Sequence, residues 1–161
     1  MIEREQMRRF AEKTSVSVDK SKAEIEALLT RYGATAFMSG SNKAEAVIAF
    51  EMKERKIMFR LQLPNKQDRQ FTHTIGRGKL RKPQDALAEW EQGCRSRWRA
   101  LALAIKAKME AVEVGIMTFE NEFMAHIVMP DGLTVGDHVR PRIADAYASG
   151  KVTPLLEGPK G

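Results

Sequence analysis

The stretch PQDALAEWEQGCRSRWRALALAIKAKMEAVEVG, residues 83–115, carries the clearest periodicity in this chain. Its apolar side chains follow one another at intervals of three or four residues, as they do along one face of an α-helix. Pro83 suits the first turn of a helix, and Gly115 suits its end or a bend. The spacing predicts a helix of about seven or eight turns. The apolar stripe of this helix is Leu87, Trp90, Cys94, Trp98, Leu101, Ile105, Met109 and Val112.

Three short apolar runs precede this helix, at residues 35–38, 46–52 and 57–63. Two polar stretches, residues 40–43 and 53–56, separate them and are typical of turns. Runs of this length joined by short turns predict strands that pair with their neighbours in the chain. We therefore expect a three-stranded antiparallel meander.

A further helix is expected before the strands, beginning at Asp19 or Ser21. Glu24 follows Ser21 by three residues, which is the spacing of a capping box, and Gly33 suits the end of the helix. Its apolar positions recur at helical spacing and are Ile25, Leu28, Leu29 and Tyr32.

Two shorter helices are expected after the long one. The first begins near Thr118, because Phe119, Phe123 and Ile127 are spaced by four residues. The second follows a Pro-Asp-Gly turn, begins with a capping box of Thr134 and Asp137, and ends at Gly150. Its apolar positions are Val139, Ile143 and Tyr147.

These elements predict a single α+β domain over residues 19–150, in which the sheet buries one face against residues 87–112. Residues 1–18 are expected to be a flexible lead-in, and residues 151–161 a flexible tail. The polar connection of residues 64–83 is longer than a compact domain usually needs. Connections of this length tend to be either functional or disordered.

Positive charge is concentrated in one part of the chain. Residues 66–108 contain eleven Lys or Arg against four Asp or Glu, whereas the formal charge of all 161 residues is +6. The remainder is therefore close to neutral, and the basic span also contains both tryptophans. A concentrated basic patch attracts polyanions, of which nucleic acid is the commonest in a cell.

The candidate binding residues lie in this basic span, where the loop would drape over a phosphate backbone and the helical arginines would line a groove. Phe71 is the preferred exposed platform for base stacking, with Phe59 as a further candidate, whereas both tryptophans are expected to pack against the sheet. The competing interpretation is a disordered loop beside a solvated helix flank. The candidates are Arg69, Phe71, Arg77, Lys79, Arg81, Lys82, Arg95, Arg97, Arg99 and Lys106.

Catalytic and metal-binding patterns are weak. Glu51-Met52-Lys53 matches the acid-x-lysine element of magnesium-dependent nucleases, but the preceding strand contributes no second acid. Glu122 and His126 share a helix face without further ligands, and Cys94 in the apolar stripe is expected to be a buried, inert thiol. We therefore expect neither an enzyme nor a cofactor.

The composition indicates a protein of the cell interior. A single cysteine cannot form an internal disulfide, and no apolar run approaches the length of a membrane span. Residues 1–13 are charged and lack the apolar stretch of a signal peptide. We expect a cytoplasmic protein.

The sequence resembles a family of small proteins encoded in bacteriophages and prophages. The resemblance covers most of residues 15–155, and the residues before about position 14 lie outside it. It implies a phage context in a bacterial cytoplasm, and because the family carries no assigned function it supplies no catalytic residues. The matching segments are WRALALAIKAK at 98–108, EAVE at 110–113, TFE at 118–120, AHI at 125–127, PDGLTVG at 130–136 and the run 38–63 ahead of Trp90.

A three-stranded meander packed on a long helix also resembles the core of Rad52-type single-strand annealing proteins. The leading hypothesis is therefore a non-enzymatic protein that binds single-stranded DNA in phage recombination or replication. The sequence is also compatible with a homo-oligomer. One alternative is a protein-binding module that inhibits a host enzyme or defence system. The other is a metal-dependent nuclease built on Glu51.

Overall fold

A computed structural model describes residues 11–156 and confirms the predicted α+β architecture. An N-terminal helix precedes a three-stranded antiparallel sheet, a long helix and shorter C-terminal helices. The elements are α1 (Val18–Arg31), β1 (Ala36–Ser41), β2 (Glu45–Met52), β3 (Arg55–Gln62), α2 (Arg69–Thr72), α3 (Pro83–Glu113), α4 (Phe119–Phe123), a 3-10 turn (Met124–His126) and α5 (Val135–Ser149).

The sheet has the order β1-β2-β3, and its register sets Met38, Ala49 and Met58 side by side across the three strands. The turn between β2 and β3 is tighter than the sequence indicated. Lys53 and Glu54 alone form it, with φ of 49° and 59°. Two successive residues of positive φ give the turn a twist that matches paired strands.

One face of the sheet packs against α1 and α3, and the apolar stripe of α3 lies on that face. Trp98 is 3% exposed and Ile105 is fully buried, as the periodicity predicts. Leu87 is an exception, at 44% exposure. A helix of 31 residues is about 46 Å long, whereas a strand of eight residues spans about 26 Å, so the ends of α3 extend beyond the sheet.

The N-cap of α1 differs from the prediction. Ser17 caps the helix, because its backbone is extended and its Oγ accepts a hydrogen bond from the backbone nitrogen of Lys20 at 3.1 Å. Ser21, one of the two predicted caps, lies fully buried inside the helix, and Asp19, the other, lies in its first turn. Several Ser and Asp residues stand near this helix start, and spacing alone does not distinguish among them.

The predicted helix through Ile127 is wrong beyond Phe123, where α4 ends and a 3-10 turn follows. Ile127 forms an antiparallel bridge with Ile57 of β3, and the backbone nitrogen of Val128 donates to the carbonyl oxygen of Lys56 at 2.8 Å. The outer edge of β3 offers unpaired backbone groups, which this extended segment satisfies and a helix would not.

The last helix begins as predicted, with a reciprocal capping box between Thr134 and Asp137, and Gly150 ends it at φ 70°. Asp137 also forms an ion pair with Arg60 of β3 at 2.9 Å. No residue of α5 is buried against the rest of the described chain, and Tyr147 is 89% exposed. Two of the three apolar positions of this helix, Ile143 and Tyr147, are therefore exposed, while Val139 is half-buried.

The expected lead-in and tail are described only in part, since residues 1–10 and 157–161 lie outside the described residues. Ala11 is 6% exposed, and Nε2 of Gln92 on α3 donates to the carbonyl oxygen of Thr14 at 2.9 Å. On the C-terminal side, Arg142 donates to the carbonyl oxygen of Pro154 at 2.9 Å. No helix of residues 11–156 is both long and apolar enough to cross a bilayer.

The stability of this fold is expected to depend on the protonation of His126. Burial lowers the pKa of His126, with a further lowering from Lys108, and the ring stacks on Phe59 with 4.1 Å between centroids. The unfolded chain therefore binds this proton at a higher pH than the folded chain. The free energy of unfolding should fall as the pH drops below about 6.5, the ordinary histidine pKa.

Urea unfolding at about pH 7.5 and about pH 5.5 measures this loss. A His126→Phe variant keeps a ring for the stacking contact but has no proton to bind, so its stability should change less between the two pH values. An equal change in both proteins would contradict the assignment to His126.

Candidate nucleic-acid interface

Residues 69–82, here called the basic finger, form a hydrogen-bonded protrusion within the predicted polar connection. The short helix α2 opens it, and a narrow hairpin follows. The backbone nitrogen of Arg81 donates to the carbonyl oxygen of Thr72 at 2.8 Å. The backbone nitrogen of Thr74 donates to the carbonyl oxygen of Lys79, also at 2.8 Å. His73 and Leu80 form an antiparallel bridge. Backbone hydrogen bonds therefore hold this part of the connection in one shape, which differs from the disordered loop of the competing interpretation.

The tip of the basic finger depends on two glycines. Gly76 and Gly78 have φ of 87° and 61°, in the region that favours glycine. A β-carbon at Gly78 would lie 3.2 Å from Nη2 of Arg69, so the guanidinium of Arg69 lies against the tip. The glycines thus close the hairpin and bring Arg69 to the same end as Arg77.

Phe71 anchors the basic finger to α3 and is only 7% exposed. A β-carbon at Gly93 would lie 3.0 Å from two carbons of its ring, so the glycine provides the space in which the ring lies. This corrects the expectation that Phe71 is an exposed stacking platform. Phe59 is also buried, at 6% exposure. Gly93 inside a helical pattern was the sequence signal for this close approach.

The two tryptophans pack rather than project. The expected burial is confirmed for Trp98. The half-buried Trp90 donates from Nε1 to the carbonyl oxygen of Pro64 at 2.7 Å, and Nζ of Lys66 lies 4.2 Å from the centroid of its ring. These contacts hold the start of the connection on α3. The rings of Phe71 and Trp98 are therefore buried, and Lys66 lies over the ring of Trp90.

The cations of the basic finger are not neutralised by the described chain. The finger contains five Lys or Arg and no Asp or Glu. None of the five forms an ion pair within residues 11–156, whereas Arg99 of α3 pairs with Glu24, and Lys108 pairs with Glu122 at 2.9 Å. The five are Arg69, Arg77, Lys79, Arg81 and Lys82.

The structure does not bring the helical cations into one groove. Arg97 borders the groove beside the basic finger. Arg95, whose Nη2 donates to Oε1 of Gln92 at 2.6 Å, borders a hollow with the tryptophans, while Arg99 and Lys106 border another against α1. Positions two apart on a helix differ by about 200° in direction. Only Arg97 therefore joins the basic finger.

A groove of about 650 Å³ runs along the outer face of α3, between the basic finger and residues 11–12. Its floor is built from small residues, Gly93, Ser96, Ala100 and Ala104, and the 94% exposed Ile75 stands beside it. Small side chains occupy little of the groove, so an extended chain has room to lie along this face.

One guanidinium nitrogen of the basic finger is left unsatisfied. Nη1 of Arg81 is buried and has no hydrogen-bond partner among residues 11–156. An unpaired buried donor costs about 1–3 kcal/mol. An oxygen acceptor supplied by a ligand would remove that cost once the side chain turned toward it.

The geometry gives no support to metal-dependent cleavage at Glu51. Glu51 is exposed on β2 between Ala36 and Lys56, so neither neighbouring strand sets an acid beside it. Within residues 11–156, no group of three or more His, Cys, Asp or Glu is arranged to hold a metal ion. Burial raises the pKa of the Cys94 thiol, which keeps it protonated.

A comparison of this chain with protein-family models, curated proteins and solved structures found no match. The resemblance to phage proteins and to Rad52-type proteins therefore stays a prediction from the sequence.

Proposed function

We propose that this chain is a non-enzymatic nucleic-acid-binding protein whose basic finger holds the phosphate backbone. The observation that supports this proposal is a protrusion with five cations, no acid and no ion pair within the described chain. Elsewhere in the described chain some cations have ion-pair partners, such as Arg55 with Glu120, and others do not, but no other acid-free segment as short as the finger gathers five without partners. Cations held together without partners attract a polyanion.

Phosphate binding at the basic finger would draw on three physical effects. Each neutralised phosphate releases condensed counterions, and the planar fork of arginine pairs with two phosphate oxygens. The hairpin bonds at Thr74 and Arg81 hold the cations in place beforehand, so less conformational entropy is lost on binding. Arg81 would also gain the acceptor that its Nη1 lacks in the described chain.

The ligand we propose is single-stranded DNA, in the phage recombination or replication that the sequence resemblance implies. The groove along α3 offers room for one strand beside the finger. Its wall carries Arg97 but also Glu12 and Glu89, so the finger and not the groove supplies the positive charge. Phe71 is buried, so base stacking contributes little and the strand is held mainly through its phosphates. The corresponding location is the cytoplasm of a bacterial host.

A protein-binding module is the second candidate, and two exposed apolar side chains of α5 favour it. Ile143 is 45% exposed and Tyr147 is 89% exposed on that helix. Exposed apolar side chains at helical spacing suit a protein partner, such as a host enzyme or defence protein. Tight one-to-one binding to a protein, with no affinity for DNA, would favour this candidate.

Fluorescence anisotropy with labelled single- and double-stranded oligonucleotides over a salt series tests the proposal. We expect micromolar or tighter binding at low salt and a preference for the single strand that depends on the groove, because phosphate contacts alone favour the more densely charged duplex. If the five finger cations each contact one phosphate, log K should fall against log salt with a slope of about −3.5 for single strands. Absence of binding at low salt would overturn the proposal.

A further inference from the structure

The strand β1 carries no charge at all. Its six residues read AFMSGS, and they lie within residues 32–42, the longest stretch of the chain without Asp, Glu, Lys or Arg. The strand also lacks proline. Monomeric proteins usually protect a sheet edge with charged side chains, proline or a bulge, because unpaired backbone groups pair readily with another strand.

The outer edge of β1 is open. β1 pairs with β2 on one side, and no residue of the described chain pairs with its other side. Five of its six residues are exposed, including Met38 at 59%. In an antiparallel strand, alternate residues point both backbone groups outward, so this edge presents a row of unpaired donors and acceptors.

The opposite edge of the sheet is closed. Ile127 bridges to Ile57 of β3, and the backbone nitrogen of Val128 bonds the carbonyl oxygen of Lys56 at 2.8 Å. Near the other end of β3, Nη1 of Arg97 donates to the carbonyl oxygen of Gln62 at 3.3 Å. A second copy therefore cannot add its β1 to this edge in a head-to-tail array.

We propose that β1 pairs antiparallel with β1 of a second copy, which joins the two sheets into one of six strands. The two-fold axis of such a pairing is perpendicular to the sheet, so one residue near the centre of the strand lies opposite its own copy. Met38 and its copy then meet on the same face of the sheet. The row of Met38, Ala49 and Met58 continues into the second protomer, and the exposed Met38 side chain gains cover.

A second copy fits this edge for reasons of charge and size. Two chains of net charge +6 repel each other, and the repulsion is least where neither presents a charged side chain. Ser39, Gly40 and Ser41 are small, so their side chains leave room on both faces of the sheet for those of the paired strand. The pairing requires no nucleic acid and stands apart from the function proposed above.

Light scattering after size exclusion tests the pairing, in salt high enough to displace nucleic acid. We expect the wild-type chain to have the mass of two copies, and Met38→Lys and Met38→Glu each to have the mass of one, because two like charges meet near the axis. An equimolar mixture of these two variants should recover the dimer. Circular dichroism checks that both variants are folded. We expect them to be, because Met38 is exposed and the core tolerates a change at this position.

Tyr147→Lys is the matched control, since it places the same charge on an exposed apolar position of α5 and should leave the dimer intact. A monomeric wild type would overturn the proposal and leave the edge to an extended segment of a different protein. A dimer that survives Met38→Lys but not Tyr147→Lys would overturn it in favour of α5. A mixture of the Met38 variants that stays monomeric would overturn the symmetric pairing.

Discussion

Replacing Arg77, Lys79, Arg81 and Lys82 together with alanine should weaken binding to single-stranded DNA by about two to three orders of magnitude at about 0.1 M salt. Each phosphate contact adds about 0.7 to the salt slope for a single strand, so the loss of four contacts removes about 2.8 from it. The ion-release contribution vanishes near 1 M salt, and the slope then gives a loss of about 600-fold at 0.1 M. Anisotropy over a salt series measures both quantities.

A variant with the same loss of charge elsewhere is the control for this prediction. Lys20, Lys43, Lys56 and Lys151 are all exposed and form no ion pair within the described residues. Their replacement with alanine should leave the salt slope near its wild-type value. Equal losses in the two variants would show that affinity follows net charge alone, and the basic finger would then have no special role.

Phe123→Ala should lower the free energy of unfolding by about 3–5 kcal/mol, which is a large share of the about 5–15 kcal/mol typical of a domain. Phe123 is fully buried where α4 meets the sheet. Its ring centroid lies 5.0 Å from that of Phe119, 6.1 Å from that of Phe50 and 6.2 Å from that of Phe59. Alanine would remove these contacts and leave a cavity. Urea unfolding monitored by circular dichroism measures the loss.

Met124→Ala provides the comparison, because Met124 is adjacent in sequence and 48% exposed. Its replacement should cost less than about 1 kcal/mol, as is usual for exposed positions. Similar losses in the two variants would contradict the central position of Phe123. A small loss of unfolding free energy for Phe123→Ala would also contradict the central position of Phe123.

The elements predicted best were those with a sustained period. The stripe from Trp90 to Met109 predicted α3, because a long amphipathic pattern fits one helix face and no strand. The alternation near Phe59 predicted β3 for a similar reason. The short run from Phe119 to Ile127 predicted too much helix, because three residues at spacing four do not show whether a free strand edge will draw the last of them into a bridge.

The candidate site was predictable in charge and unpredictable in geometry. The cations at positions 77–82 stand out in the sequence, and the structure holds them in one protrusion. Phe71 was expected to be exposed, because its neighbours are polar and charged. Its burial depends on a gap at Gly93, which is 22 positions away and on another element. Arg95, Arg97 and Arg99 were expected to share a groove, but helical rotation turns Arg97 away from the other two, and Arg95 and Arg99 border different hollows.

The amino-acid sequence by itself determined the order of the strands and of the helices other than α2, the glycine that follows α1, the capping box of α5 and the position of the excess positive charge. These features depend on periodicity, on local backbone preferences and on counting, all of which are properties of neighbouring residues. Only the tertiary structure decided which cations are neutralised, where Phe71 lies and which edge of the sheet is open. Those features depend on contacts between residues far apart in the chain, and such contacts form only when the core packs.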